Sequence, residues 1–144
     1  MGTATMGKVL VTARIENLED LYKVKQGQLA PDQVRRIDAA DALVDTGAST
    51  LSIPKRFVAQ LGLAPLRTRQ ARTSAGPITL QMYEAVRLTV QGRECTCDVV
   101  EVLDDCPVLI GQVPLELLDF VVDPQGQRLI GNPAHGGEQM IELY

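Results

Sequence analysis

The sequence predicts an all-β domain with one or two short helices. Val, Thr and Ile are common, and eight Pro and twelve Gly residues divide the chain, which favours strands and turns. Residues 8–15 (KVLVTARI) alternate apolar and polar side chains, as does a strand with one buried face. The 144 residues fit a single domain, and because only 3% are aromatic, Val, Leu and Ile must fill its core.

The charge and hydropathy of the chain argue against several function classes. A net charge of −4 argues against a nucleic-acid-binding surface, which would carry a basic footprint. Arg67, Arg69 and Arg72 are interpreted as one solvated face of a strand. A local basic patch is the alternative interpretation. No run approaches the roughly 20 apolar residues of a membrane span, and residues 1–20 lack the apolar core of a signal peptide. We therefore expect a cytoplasmic location and no membrane partner.

The N-terminal third is expected to lead from one strand to another. Residues 17–33 are polar and interrupted by Gly27 and Pro31, so we interpret them as an insertion-like loop in which a short helical turn covers the core. Residues 34–44 are extended and are expected to pair antiparallel with the first strand. The two strands together lead into Asp45.

A short strand and a helix are predicted next. Residues 50–53 (TLSI) are interpreted as a second short strand, and residues 54–62 carry one apolar stripe. Pro54 suits the first helical turn, and Gly62 suits the C-terminal cap. The simplest interpretation of this helix is that it packs on the core.

The remaining segments are predicted to be strands and turns. Residues 66–90 form a hairpin around a tip of small residues. Residues 94–103 form another strand, which ends in the polar turn at Asp104 and Asp105. Residues 121–130 form a second hairpin about an Asp-Pro-Gln-Gly turn, and residues 139–144 form a final strand.

The stretch around Asp45 contains the candidate chemistry. An apolar strand ends in Asp45-Thr46-Gly47-Ala48-Ser49, where Gly47 permits a sharp bend and the two hydroxyls can bond the backbone. Asp-Thr-Gly alone is more often an ordinary turn. Here strands are predicted on both sides, so the carboxylate would stand at the tip of a strand–turn–strand unit. Hydrolysis by paired aspartates requires a carboxylate presented in this way.

This stretch resembles the catalytic loop of retropepsin-like aspartic proteases, the family that includes the retroviral enzymes. The second motif of that family matches Leu109-Ile110-Gly111, about 65 residues further on and followed by a helix-like segment at 112–118. In that family the motif's glycine, Gly111 here, permits close backbone packing beside the catalytic loop. The resemblance is clearest over residues 42–131, and the chain looks more similar to bacterial retropepsin-like proteins and to the protease-like domain of eukaryotic ubiquitin-shuttle proteins than to the retroviral enzymes. The resemblance implies a closed acid-protease barrel spanning 1–144 as one domain.

The resemblance also implies a function and a partner. In this family two aspartates share one proton and activate water, and this chain has one Asp-Thr-Gly, so a homodimer would bring two copies of Asp45 together. Residues 139–144 are the first candidate for the interface strand, and residues 128–130 are the second. The hairpin tip would be the flap over a peptide substrate, formed by Ala75, Gly76, Pro77 and Ile78, although an ordinary surface turn is the alternative. Neither a metal nor an organic cofactor is implied.

Leu43, Ile78, Val108 and Leu109 are candidate walls of the substrate pockets. The chain departs from the retroviral pattern at two positions. Ser49 and Gln112 stand where the retroviral enzymes carry the Asp and Arg that brace the dimer. Neutral hydrogen bonds would have to replace that ion pair.

A non-catalytic dimerisation or peptide-binding module is the rival hypothesis. An intact Asp45-Thr46-Gly47 argues against it, because binding alone does not need an acidic residue at that position. The roles of Cys95, Cys97 and Cys106 and of the sole histidine, His135, stay open; three cysteines offer a metal no obvious fourth ligand.

Overall fold

The structure, a computed structural model, describes residues 8–143 and is mostly β, as predicted. The strands are β1 Val9–Asn17, β2 Arg36–Val44, β3 Leu51–Pro54, β4 Pro65–Thr73, β5 Gly76–Val90, β6 Arg93–Val102, β7 Leu109–Ile110, β8 Phe120–Asp123 and β9 Arg128–Gly131. The α-helices are α1 Leu18–Lys25, α2 Lys55–Leu61 and α3 Gln112–Leu118. Residues 8–143 thus contain three α-helices, where one or two were predicted.

Seven of the strands form one sheet that turns back on itself. Their order is β1-β2-β7-β3-β6-β5-β4, and β1 also pairs with β5, so the sheet has the form of a ring. The antiparallel pairing of β1 with β2 was predicted, and it places Ile15 opposite Ile37. β8 and β9 form the separate hairpin predicted at 121–130.

The outer part of the β4–β5 hairpin extends beyond this ring. Residues 76–81 of β5 pair with β4 alone, whereas residues 82–90 also pair with β6 or β1. Most of β4 is exposed. The hairpin therefore has few packing partners besides its own two strands.

Aliphatic side chains fill the interior, as the low aromatic content predicts. Each fully buried Leu or Ile side chain contributes about 1.5–3 kcal/mol through removal of its apolar surface from water. The largest side chains with almost no exposure come from the ring and from the two later helices: Ile15, Leu51, Ile53, Leu61, Leu88, Ile110, Leu115 and Leu118. Helix α2 ends as predicted, with Gly62 in the left-handed conformation at φ +64°.

The helical turn predicted within 17–33 is present and is longer than expected, because it is the regular two-turn helix α1. The Asn17 side chain caps this helix by accepting a 2.9 Å hydrogen bond from the Asp20 amide. The buried Asp20 carboxylate then accepts hydrogen bonds from Nε and Nη2 of Arg35, at 2.8 and 2.9 Å. These bonds lower the pKa of Asp20. Because Arg35 is 15 residues away, the local pattern could not reveal this partner.

The C-terminal segment also differs from its prediction. Residues 139–143 form no strand in this single chain, and Tyr144 lies outside the described residues. Pairing across an interface would require a second chain, so that part of the hypothesis stays a prediction. None of the helices within residues 8–143 has the length and apolar character needed to cross a membrane.

Candidate active site

Asp45 stands where β2 ends, after the buried Val44. Its backbone amide donates to the Ile110 carbonyl at 2.9 Å, and its carbonyl accepts from the Ala48 amide at 3.1 Å. The Gly47 amide donates to Oδ1 of Asp45 at 3.0 Å, so the turn itself orients the carboxylate. A Cβ on Gly47 would lie 3.2 Å from that same oxygen and would crowd it.

The second motif lies directly behind this loop. β7 runs parallel to β2, with Leu109 beside Leu43 and Ile110 beside Val44, and antiparallel to β3. A Cβ on Gly111 would lie 2.5 Å from the carbonyl oxygen of Thr50 and 2.7 Å from that of Ala48. Only glycine fits at this position, as the family resemblance implies.

The start of α3 braces the loop from its other side. The amides of Gly111, Gln112 and Val113 donate to the carbonyls of Thr50, Ala48 and Ser49, respectively, at 2.8 to 2.9 Å. The Gln112 side chain is not part of this brace, because its amide donates to Glu116 Oε1 at 3.2 Å within the helix. Within one chain, main-chain groups therefore support the loop at the positions where the retroviral pattern has charged side chains.

The loop and the adjoining face of α3 are open to solvent. Thr46, Gly47 and Ser49 are exposed, and Asp45 is half-buried. Val113 and Leu117, one turn apart on α3, are 48% and 49% exposed. An apolar face of this kind beside a polar loop is typical of an interaction surface.

The predicted hairpin with its small-residue tip is present. Thr73 Oγ1 accepts from the Ala75 amide at 3.1 Å and donates to the Gly76 carbonyl at 2.7 Å. Gly76 has φ +113°, a conformation that other residues rarely adopt. Pro77 and Ile78 beside it are exposed, and Ile78 is 44% accessible.

A cleft of about 900 Å³ lies between this hairpin and the loop. Arg69, Leu80 and Met82 contribute from the hairpin, and residues 47–50 contribute from the loop. Its remaining lining residues are Ser52, Gln70, Ala71, Ala85, Thr96, Cys97, Asp98, Val100, Val113 and Leu117. The cleft thus reaches the loop that presents Asp45, and it combines apolar walls with polar groups.

The predicted pocket walls fit this cleft poorly. Val108 is only 3% exposed and belongs to the core, so the prediction that it lines a pocket is wrong. Leu43 and Leu109 are half-buried in neighbouring strands, and neither they nor Ile78 line the cleft. Leu80 and Met82 contribute the apolar wall instead, because strand pairing turns them toward the same side as Arg69.

The sequence assigned no role to His135, yet its side chain joins the C-terminal segment to the body of the protein. Nδ1 of His135 lies 2.6 Å from Oδ2 of Asp119, and Nε2 lies 2.7 Å from Oε1 of Glu142. The Met140 amide also donates to Oδ2 of Asp119, at 3.0 Å. Hydrogen bonds with Asp119 and then Glu142 raise the pKa of His135, and the His135 bond lowers the pKa of Asp119. We call these residues the His135 corner.

The cysteines do not form a combined site. Cys95 and Cys97 share one face of β6, as predicted, and their hydrogen bond lowers the pKa of Cys95 and raises that of the buried Cys97. Cys106 lies in the turn after β6. Within residues 8–143, no three His, Cys, Asp or Glu side chains are grouped as metal ligands would be.

Comparison with known proteins agrees with the geometry of the loop. A family model described as aspartyl protease matches residues 35–132. The match covers more than half of the chain and includes Asp45, the β4–β5 hairpin and Leu109-Ile110-Gly111. A search of curated proteins finds no match. The buried strand, the Asp-Thr-Gly turn and the glycine packed behind it thus agree with the family model, and the chain belongs to the aspartyl protease family.

Proposed function

We propose that the chain is one half of a homodimeric aspartic endopeptidase. The observation that carries the proposal is the Asp45 carboxylate, held by the Gly47 amide in an exposed loop that Gly111 and α3 support from behind. The sequence contains one Asp-Thr-Gly, whereas this chemistry uses two carboxylates. The second Asp45 then comes from an identical chain across a two-fold axis.

The two Asp45 carboxylates share one proton, so they have different roles in the reaction. Two like charges at close range do not ionise together, so one Asp45 is ionised while the other is protonated. The ionised Asp45 takes a proton from a water molecule whose oxygen attacks the peptide carbonyl carbon. The protonated Asp45 donates to the carbonyl oxygen and stabilises the tetrahedral intermediate. Proton transfer to the leaving nitrogen then accompanies cleavage of the C–N bond.

The surface around the loop supports the dimer. Thr46, Gly47 and Ser49 are the exposed groups nearest Asp45, and Thr46 is suited to bond the partner's loop. Leu117 lies beside both the cleft and a second depression lined by Met140 and Ile141 of the C-terminal segment. A second copy would cover this apolar surface.

An extended peptide would occupy the cleft beneath the β4–β5 hairpin, which would act as its flap. The Gly47 carbonyl is the loop group available to bond the peptide main chain, because the amide and carbonyl of Ala48 already bond Asp45 and Gln112. The hairpin extends beyond the ring, so it can move without disturbing the core. The glycine at its tip permits close approach to a substrate backbone.

The test is cleavage of a peptide library between acidic and neutral pH by the wild type and by Asp45→Asn. We expect Asp45→Asn to lower the rate by about 10²- to 10⁴-fold, the range for loss of a general acid or base, while the thermal midpoint changes little. Equal cleavage by both proteins would remove the assignment.

The dimer is tested by measuring molecular mass and activity together over a dilution series. Activity should fall in parallel with the dimer fraction, and Leu117→Glu should shift both curves to higher protein concentration. Full activity from a verified monomer would contradict the proposal. A verified dimer that cleaves no peptide in the library would favour the non-catalytic binding module instead.

A further inference from the structure

Three arginines on β4 differ from every other arginine in the chain. Seven of the ten arginines bond a carboxylate or a backbone carbonyl; they are Arg14, Arg35, Arg36, Arg56, Arg87, Arg93 and Arg128. Within residues 8–143, no ion pair or side-chain hydrogen bond involves the side chains of Arg67, Arg69 or Arg72. Their charges are therefore available to an external group.

The hairpin that carries these arginines has no negative charge of its own. Residues 65–83 contain three Arg and neither Asp nor Glu, although the whole chain has a net charge of −4. The hairpin is therefore a positively charged arm on an acidic protein. A field of this kind attracts acidic ligands to the surface that it covers.

Of the three arginines, Arg69 alone lines the cleft, although Arg67 lies two residues earlier on the same face of the strand. Arg69 pairs with Leu80, and these two side chains line the cleft together with Met82. Arg72 pairs with Pro77 and is not part of the lining. Successive side chains of a strand point to opposite faces, so Arg72 lies on the face opposite to Arg69. Arg69 is thus the one arginine among the described residues that lines the cleft.

The apolar neighbours of Arg69 make its charge more effective. Leu80 and Met82 form a wall of low polarity beside it, and Met82 is only 7% exposed. A substrate carboxylate held against that wall loses part of its water, and its interaction with a guanidinium is stronger there than in bulk solvent. The planar guanidinium also matches a carboxylate by two parallel hydrogen bonds.

Asp98 is the one acidic side chain that lines the same cleft. It lies on β6, where its backbone carbonyl accepts a bond from the Thr50 hydroxyl at 3.3 Å, so it stands at the side of the cleft next to the Asp45 loop. Its carboxylate is not within ion-pair distance of Arg69. Asp98 therefore does not pair with Arg69, and its charge repels acidic groups that bind on the loop side of the cleft.

We propose that Arg69 gives the cleft a preference for peptides that carry an acidic side chain at the position beneath the hairpin. This inference rests on the proposed peptidase function and adds its substrate class. The recognised group is an Asp or Glu carboxylate, bonded by the Arg69 guanidinium while the neighbouring residues of the peptide contact Leu80 and Met82. Asp98 limits the preference to that one position.

The test is cleavage-site profiling of a mixed peptide pool by mass spectrometry, with wild type, Arg69→Glu, Arg72→Glu and Asp98→Asn. Wild-type sites should be enriched in Asp or Glu at one position. Arg69→Glu should reduce the ratio of acidic to basic residues at that peptide position by about tenfold. This is the effect expected when the charge of a partly desolvated contact is reversed. Asp98→Asn should raise the tolerance for acidic residues at neighbouring positions.

Arg72→Glu is the matched control, because it makes the same charge change on the same strand but outside the cleft. It should leave the ratio within about twofold, the size of an exposed, screened charge effect. An unchanged profile in Arg69→Glu would overturn the proposal. An equal shift in both variants would also overturn it, because the effect would then come from the general field of the hairpin. Thermal unfolding verifies that the exposed substitutions leave the fold intact.

A binding measurement separates this proposal from the proposed function. Acidic and basic peptide pools are titrated into Asp45→Asn and into Asp45→Asn with Arg69→Glu. If the wild type shows no Asp45-dependent cleavage, the peptidase proposal fails, whereas weaker binding of the acidic pool by the double variant still supports the role of Arg69. Equal binding of that pool by both variants would overturn it whether or not the protein cleaves peptides.

Discussion

The two ends of α3 are held in place by different kinds of interaction. At its start, the amides of Gly111, Gln112 and Val113 bond the carbonyls of the Asp45 loop. At its end, the side chain of Asp119 bonds His135 and the Met140 amide. A main-chain network depends on close approach and is insensitive to pH. A side-chain network depends on protonation and can be released without disturbing the helix.

The largest stability effect is expected at the first end, from Gly111→Ala. The new methyl group would lie 2.5 to 2.7 Å from backbone atoms of Thr50 and Ala48, which cannot move aside as a flexible side chain can. We expect a loss of about 3 kcal/mol in the free energy of unfolding, at the upper end for overpacking, together with loss of cleavage. Urea unfolding measures the change.

Gly92→Ala is the comparison for that variant. Gly92 has φ +80° and no atom within 4 Å of the added Cβ, so the cost is conformational, about 1 kcal/mol. If Gly111→Ala were no more destabilising than Gly92→Ala, the close packing behind the loop would not be the reason that the fold requires glycine at position 111.

Gln112 separates the contribution of the main chain from that of the side chain. Gln112→Pro removes the amide that bonds the Ala48 carbonyl, at a position where the first helical turn tolerates proline. We expect it to destabilise the fold by about 1 kcal/mol and to weaken cleavage. Gln112→Ala loses only the bond to Glu116 and should cost about 0.5 kcal/mol or less. Urea unfolding of both variants measures this difference, and equal costs would contradict the main-chain brace.

At the C-terminal end of α3, loss of the Asp119 side-chain bonds should affect only the neighbouring C-terminal segment. Asp119→Ala removes the acceptor of both the Met140 amide and His135, so we expect faster hydrogen exchange at Met140 with little change at Asp45 and its loop. Glu142→Ala is the matched control, since the Glu142 side chain is 77% exposed and its bond contributes little. Similar exchange rates in the two variants would show that Asp119 does not hold the C-terminal segment.

The smallest expected effect is the pH dependence of the His135 corner. Its two bonds raise the pKa of His135 from the ordinary value near 6.5, so its stabilising contribution is complete below that value and is lost as the pH rises through the raised pKa. The pKa of Asp119 is lowered, so its contribution is present above its ordinary value of 3.8 and is lost as the pH falls through the lowered pKa. Protection of the Met140 amide should be greatest between about pH 4 and 6.5.

An NMR titration of the imidazole tests this assignment directly. His135 is the sole histidine, so one set of resonances reports its pKa in untagged protein. Asp119→Asn should lower that pKa more than Glu142→Gln does, because the Asp119 bond makes the larger contribution. The Arg93 guanidinium, which donates to the Asp119 carbonyl at 2.8 Å, is the nearby positive charge present in all of these proteins. An unshifted His135 pKa in the wild type would contradict the hydrogen bonds from His135 to Asp119 and Glu142.

Much of the ring and of the Asp45 loop could be predicted from local sequence. Alternation of apolar residues indicated β1, and Pro54 and Gly62 indicated the ends of α2. The Leu109-Ile110-Gly111 motif indicated that a backbone packs closely behind the loop, where Gly111 touches Thr50. These features depend on backbone conformation and on which face of an element is apolar, and neighbouring residues determine both.

The sequence by itself determined the strand and the turn that present Asp45, and the family motif within it pointed to Gly111 behind them. Only the tertiary structure placed Arg69 in the cleft, Val108 in the core and His135 between Asp119 and Glu142. The physical reason is that a side chain's partner depends on strand register and on contacts between residues far apart in the chain. Such contacts leave no local pattern, and the Asp20–Arg35 pair is a further example, because nothing near Asp20 in the sequence indicated its partner.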